Sequence, residues 1–120
     1  MPAELTDRIF TAVDSRDAVA LSKFFHGTGR LVFGNSDPLV GPDAIAEGVG
    51  RFFTTIAGLR HHVLNEWVTG GDTVVELKVT YDRLDGRSVH VPAVSIWHVD
   101  DTGLIDHYRI FIDLAPVYAP

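Results

Sequence analysis

Six histidines, His26, His61, His62, His90, His98 and His107, are the side chains of this sequence best suited to moving protons near neutral pH. An imidazole with its ordinary pKa of about 6.5 can take a proton from carbon and hand it on. His61 and His62 are adjacent, so on a strand they point to opposite faces and cannot share one pocket or one ion. The remaining four show no metal-ligand spacing and read as surface or interface residues. Cysteine is absent, which removes thiolate metal sites, disulfides and cysteine nucleophiles. Among the carboxylates, Asp14 stands out at the end of an apolar helical pattern, where a negative charge is disfavoured by about 0.3–1 kcal/mol when exposed. Either the turn chemistry of Asp14-Ser15-Arg16-Asp17 or a compensating partner accounts for it. Gly27-Thr28-Gly29 is too short to cradle a phosphate and reads as a turn.

The elements that must position these groups follow from periodicity. Leu5, Ile9, Phe10 and Val13 recur at helical spacing, predicting a helix from about Ala3 to Asp14. A second short helix carries Leu21, Phe24 and Phe25, with Asp17 placed to cap it. Leu31-Val32-Phe33 reads as a short strand, followed by a loop from Gly34 to Gly41. Pro42 opens a third helix, since its missing amide proton would have no partner in the first turn. Ile45, Val49, Phe52, Phe53 and Ile56 line one side.

After Gly58 the period changes to that of strands. Four extended segments, about residues 60–69, 73–82, 87–99 and 104–113, are joined by Gly70-Gly71-Asp72, Leu84-Asp85-Gly86 and Asp100-Asp101-Thr102-Gly103. Such short connections force an antiparallel meander. Val75, Leu77, Val79 and Tyr81 alternate cleanly with Glu76, Lys78 and Thr80. The third strand is apolar on both faces, and Pro92 inside it predicts a bulge that bends the sheet. A bent sheet with two apolar faces needs cover on both; helices supply one cover and a second copy of the chain the other, so a homodimer is expected.

Length and composition frame this as one α+β domain over residues 1–120. The sequence is 46% hydrophobic, enough for one core. Ten basic residues against 16 acidic ones give a net charge of -6, and Lys23 and Lys78 are the only lysines. A phosphate backbone would be repelled, so nucleic acid is not an expected partner. No apolar run approaches the roughly 20 residues of a membrane span, and the first residues lack a signal-peptide pattern. A cytoplasmic protein with no membrane partner is the expectation.

Four segments carry a family resemblance: Val13-Asp14-Ser15-Arg16-Asp17, Val40-Gly41-Pro42-Asp43-Ala44-Ile45, His61-His62-Val63-Leu64-Asn65 and Tyr108-Arg109-Ile110-Phe111-Ile112-Asp113. With the order of elements, they resemble the SnoaL-like branch of the nuclear-transport-factor-2-like superfamily across Leu5 to Pro116. The resemblance implies a cone: a curved antiparallel sheet wrapped around a pocket, with three helices in the first half. It implies no single activity, because that scaffold hosts isomerases, dehydratases, cyclases, epoxide hydrolases and inert binders.

The ketosteroid isomerase pattern is not met, since its acid and tyrosine positions fall on Ile9, Gly34 or Asn35, and Ser95. The limonene epoxide hydrolase pattern fails as well, with no carboxylate between Glu76 and Asp82 and Ile110 at its last-strand site. Scytalone dehydratase and hexachlorocyclohexane dehydrochlorinase are more similar: they pair an aspartate ending the first helix with a histidine entering the meander. Asp14 and His61 stand at those positions, Asn65 completes a His-x-x-x-Asn motif, and Arg109 matches a last-strand arginine. The dehydrochlorinase lysine falls on Ile9, the dehydratase tyrosine on Val13 and its second histidine near Tyr81.

The resemblance therefore implies a cofactor-independent and metal-independent lyase or isomerase for a small apolar or alicyclic molecule. His61 would be the base, Asp14 its orienting partner and Arg109 an anion stabiliser. Phe33, Asn35, Phe52, Asn65, Tyr81, Trp97 and Phe111 would contact the ligand. A non-catalytic small-ligand binder or accessory dimer, and a polyketide cyclase-like protein, stand as alternatives.

Overall fold

The computed structural model describes residues 2–120. In chain order the elements are α1 (Pro2–Asp14), α2 (Ala18–Ser22), β1 (Phe25–Phe33), β2 (Leu39–Val40), α3 (Pro42–Phe53), β3 (Gly58–Thr69), β4 (Asp72–Asp82), β5 (Ser88–Val99), β6 (Ile105–Ile112) and α4 (Ala115–Tyr118). The six strands form one open sheet in the order β2-β1-β6-β5-β4-β3. β3 to β6 make the antiparallel meander expected from their short turns. β1 joins it parallel to β6, a connection that takes most of the chain to complete.

Helices cover one face only. Ile9 and Phe10 of α1, Leu21 of α2, and Ile45, Val49 and Phe53 of α3 are buried against Leu77, Val79, Val91 and Trp97 of the sheet. Asp17 caps α2 by accepting from the Ala20 amide at 2.9 Å. No helix is long and apolar enough to cross a membrane among the described residues.

Several expectations are revised. The sequence His26-Gly27-Thr28-Gly29 is part of β1, which starts at Phe25. The turn-like composition marks an irregularity in the β1–β6 ladder, whose register shifts between Phe25 and Arg30. A Cβ on Gly29 would stand 2.6 Å from the Ile105 carbonyl, so the close backbone approach needs glycine there. The loop after β1 contains the two-residue β2, paired to β1. Pro92 makes no bulge: it sits in continuous register opposite Lys78. The β5–β6 pairing begins only at Ala93, leaving an unpaired edge at Pro92 where a missing donor is tolerated. The bulge lies instead in β3, between Val63 and Asn65. A second lies between His98 and Val99.

Glycine at the β1–β6 approach yields a paired prediction. Gly29→Ala forces the Ile105 backbone to move and costs about 1–3 kcal/mol, whereas Gly27→Ala, with nothing within 4 Å of the added carbon, stays within about 0.5 kcal/mol. Urea unfolding of the two variants beside the parent checks the contrast.

Candidate functional site

The end of α1 and the start of β3 meet at one point. α1 stops in a double hydrogen-bonded cap: the Asp17 amide donates to the Ala12 carbonyl at 3.0 Å and the Arg16 amide to Val13 at 2.9 Å. Arg16 takes the left-handed conformation this cap requires, with φ of 54°. That fixes Asp14 in the last helical turn, facing the sheet. Its Oδ2 accepts from the backbone N–H of His61 at 3.0 Å, and its Oδ1 lies 2.6 Å from His61 Nδ1. An ionised carboxylate only accepts, so Nδ1 carries the proton and Nε2 of the neutral ring keeps its lone pair.

The imidazole is otherwise enclosed. Phe10, one turn before Asp14 on the same helix face, stacks on it with ring centres 4.6 Å apart and planes 13° apart. The His61 side chain retains 10% of its exposure and that of Asp14 28%. At the other end of α1, the Thr6 hydroxyl donates to the Glu66 carboxylate of β3. Two polar ties thus hold α1 on β3, with Ile9 and Phe10 buried between them.

His61 opens into a cavity between the helices and the inner sheet face. Its walls include Val13, Leu31, Phe33, Phe52, Leu59, Val79, Tyr81, Ser95, Tyr108 and Ile110. About 40 Å³ is open to the centres of water-sized molecules, room for a few waters or one small ligand. Phe33 and Phe52 meet edge to face at 4.8 Å, and Phe52 also meets Tyr81 edge to face at 6.1 Å. These rings bound the space, so a larger molecule must displace them.

Three hydroxyls join the imidazole in this apolar enclosure. Burial pushes the Tyr81 phenol well above its ordinary 10, with added repulsion from Tyr118, Asp14 and Tyr108. The Tyr108 phenol is raised by burial too, while its hydrogen bond with Ser95 pulls it down. Both tyrosines therefore stay neutral near physiological pH and offer O–H donors.

The candidate residues divide cleanly. Asp14 and His61 come together, and Phe33, Phe52 and Tyr81 line the cavity. Arg109 does not. Tyr108, Ile110 and Ile112 face inward, so the intervening Arg109 and Phe111 point out, with the guanidinium 4.8 Å over the Phe111 ring. Asp106, three residues before Arg109, binds His98 at 2.8 Å instead. Asn65 also turns away. The β3 bulge inserts Leu64, places Asn65 opposite Glu76 on the outer face and leaves it bonded to that carboxylate at 2.7 Å. Asn35 is exposed in the turn after β1, in a surface groove with Ser36 and Asp113. Trp97 is fully buried behind the cavity, against Phe10 and Tyr108, and is a core residue. Among the described residues no cluster could hold a metal ion.

Phe10, Ser95, Tyr108 and Glu66 were not foreseen as site residues. The spacing of Phe10 to Asp14, i to i+4 on α1, was a readable signal. The position of Glu66 was not, because it depends on the bulge.

Residues 6–108 match the SnoaL-like domain family. The chain belongs to that family. Solved structures agree in fold. A hypothetical protein with a ketosteroid isomerase-like fold from Catenulispora acidiphila, in complex with trimethylamine, is 16% identical with a TM-score of 0.87, the match covering 97% of this chain and 90% of that one. A putative SnoaL-like polyketide cyclase from Jannaschia is 22% identical with a TM-score of 0.83, covering 98% and 92%. TerC, co-crystallised with polyporic acid, is 18% identical with a TM-score of 0.82, covering 95% and 92%. No functionally curated protein matches the sequence. At these identities the likeness of this SnoaL-like chain to the solved structures speaks for its architecture, a curved mixed sheet around a pocket.

The Asp14 contact predicts a tautomer. ¹⁵N NMR of neutral His61 should show Nδ1 protonated and Nε2 bare, the reverse of the form free histidine prefers. Asp14→Ala should abolish that preference and, by leaving the His61 amide unpaired, cost about 1–3 kcal/mol in urea unfolding.

Proposed function

We propose that this SnoaL-like protein is a cofactor-independent lyase or isomerase that removes a proton from a small, largely apolar carbon acid. The observation that carries the reading is the double contact of Asp14 with the backbone and ring of His61, a residue that lines an apolar cavity. In this reading Nε2 takes the proton, Asp14 stabilises the imidazolium that results, and the same nitrogen returns the proton to carbon or to a leaving group. Two proteins of this fold, one in complex with trimethylamine and one co-crystallised with polyporic acid, support a small-molecule ligand for this chain. The cavity volume favours an alicyclic or short-chain compound over a polycyclic one.

The test needs no knowledge of the natural substrate. A panel of small ketones in D₂O, followed by proton NMR, reports exchange at the carbon next to the carbonyl. The protein should accelerate exchange of at least one member, and His61→Ala should lower the rate at least about 100-fold. Equal rates for parent and variant would remove the proposal.

A second reading, a non-catalytic small-ligand binder, draws on the nearly complete apolar lining and on the outward position of Arg109. It predicts a ligand retained in native mass spectrometry with no exchange that depends on His61.

We further propose that the outer sheet face closes against a second copy. Leu64, Trp67 and Phe111 are 56%, 54% and 47% exposed on it, and Pro92 and Val94 share a groove with Leu64 and Phe111. Such an apolar patch marks an interaction site. Sedimentation should report a dimer that Trp67→Glu shifts to monomer while the parent stays dimeric; a monomeric parent would refute this.

A further inference from the structure

The outward turn of Arg109 leaves the dyad without the cation that would stabilise negative charge on a deprotonated substrate. The cavity itself contains the replacement. Tyr81 stands on β4 two residues from Val79, the residue directly opposite His61, so the two side chains are diagonal neighbours on one inner face. The Tyr81 ring is 2% exposed and held edge-on by Phe52. No hydrogen bond among the described residues uses its hydroxyl, and the residue lines the cavity with His61. The other two hydroxyls of the cavity, Ser95 and Tyr108, stand on β5 and β6, two and three strands from His61 on β3, whereas Tyr81 stands on the adjacent strand. Tyr81 is thus the hydroxyl the sheet sets beside the dyad.

Resting on the dyad reading above, we infer that Tyr81 donates its hydroxyl to the carbonyl oxygen of a small enolisable ketone or aldehyde whose α-carbon faces His61 Nε2. The step balances within the site. The α C–H bond breaks and its proton goes to Nε2; the C–H electron pair forms the new C=C bond, and the carbonyl π pair moves onto oxygen. That oxygen becomes an enolate held by the Tyr81 O–H. The imidazolium then returns its proton to the α-carbon; in a β,γ-unsaturated ketone it can instead go to the γ-carbon, which bonds it with the β,γ π pair as the enolate C=C pair shifts to Cα=Cβ and the carbonyl re-forms. In a β-hydroxy ketone the same proton goes to the hydroxyl, whose C–O bond breaks as the enolate collapses to the enone and water departs. A neutral phenol is suited to this role because it gives a hydrogen bond without placing a charge in the apolar cavity. The burial that keeps Tyr81 protonated supports the same assignment.

Butanone labelled with ¹³C at the carbonyl serves as the probe. Its infrared carbonyl band should move to lower wavenumber on binding, in the parent and in His61→Ala, and that displacement should vanish in Tyr81→Phe. α-Deuterium exchange should fall about 100- to 1,000-fold in Tyr81→Phe, with Ser95→Ala retaining the band. Protein grown on 3-fluorotyrosine, whose phenol is a stronger donor, should displace the band further and supplies a readout should Tyr81→Phe fold poorly. An unchanged band and exchange rate in Tyr81→Phe would overturn the inference while leaving a His61-dependent exchange, and so the dyad, intact. A band that depends on Tyr81 without any His61-dependent exchange would uphold the ketone site and sink the dyad.

Discussion

The contact between Asp14 and His61 sets both the docking of α1 and the chemistry of the cavity. A carboxylate in the last turn of a helix faces the negative end of the helix dipole. Here that disadvantage is offset by two N–H donors from a single residue of β3, at 2.6 and 3.0 Å. Hydrogen bonds to a charged group contribute about 1.5–3 kcal/mol each, more than the dipole takes away. The contact also satisfies a strand amide that, at the edge of the sheet, has no neighbour strand on that side. Fold stability and ring orientation therefore depend on the same two oxygen atoms.

The β3 bulge supplies the second half of the arrangement. One extra residue, Leu64, reverses the alternation of side chains beyond it. Glu66 then faces α1 and takes the Thr6 hydroxyl, while Asn65 faces outward to Glu76. An unbroken strand would put Asn65 on the face of His61 and turn Glu66 away from the helix. The second tie of α1 to β3 and the loss of a polar group from the cavity thus have one cause.

Most of the architecture was legible because it rests on local signals. The helical spacing of Leu5, Ile9, Phe10 and Val13, the Pro42 start of α3 and the glycine-containing turns of the meander each act over a few residues. The Asp14–His61 pair came from family resemblance and not from spacing, since 47 residues separate the two partners. Three of the misplacements share one origin. Asn65, Arg109 and Phe111 were assigned without knowledge of strand face, and a face is set by register and bulges formed with a distant neighbour. Gly29 made His26-Gly27-Thr28-Gly29 look like a turn because close backbone approach in a parallel ladder calls for the same residue as a tight turn does. Pro92 looked like a bulge for want of knowing where β6 ends.

The character of the cavity narrows the chemistry further. Its walls carry one imidazole, three hydroxyls and no lysine or arginine among the described lining residues. A departing halide would leave as a bare anion into an apolar space, which is costly without a cation or water to receive it. A departing hydroxyl does not have that difficulty, because the imidazolium formed in the first step can protonate it as it leaves. Returning the proton to carbon has no leaving anion at all. Under the proposed dyad, loss of water and double-bond migration therefore fit this cavity, and loss of halide, which an inward Arg109 would have assisted, does not.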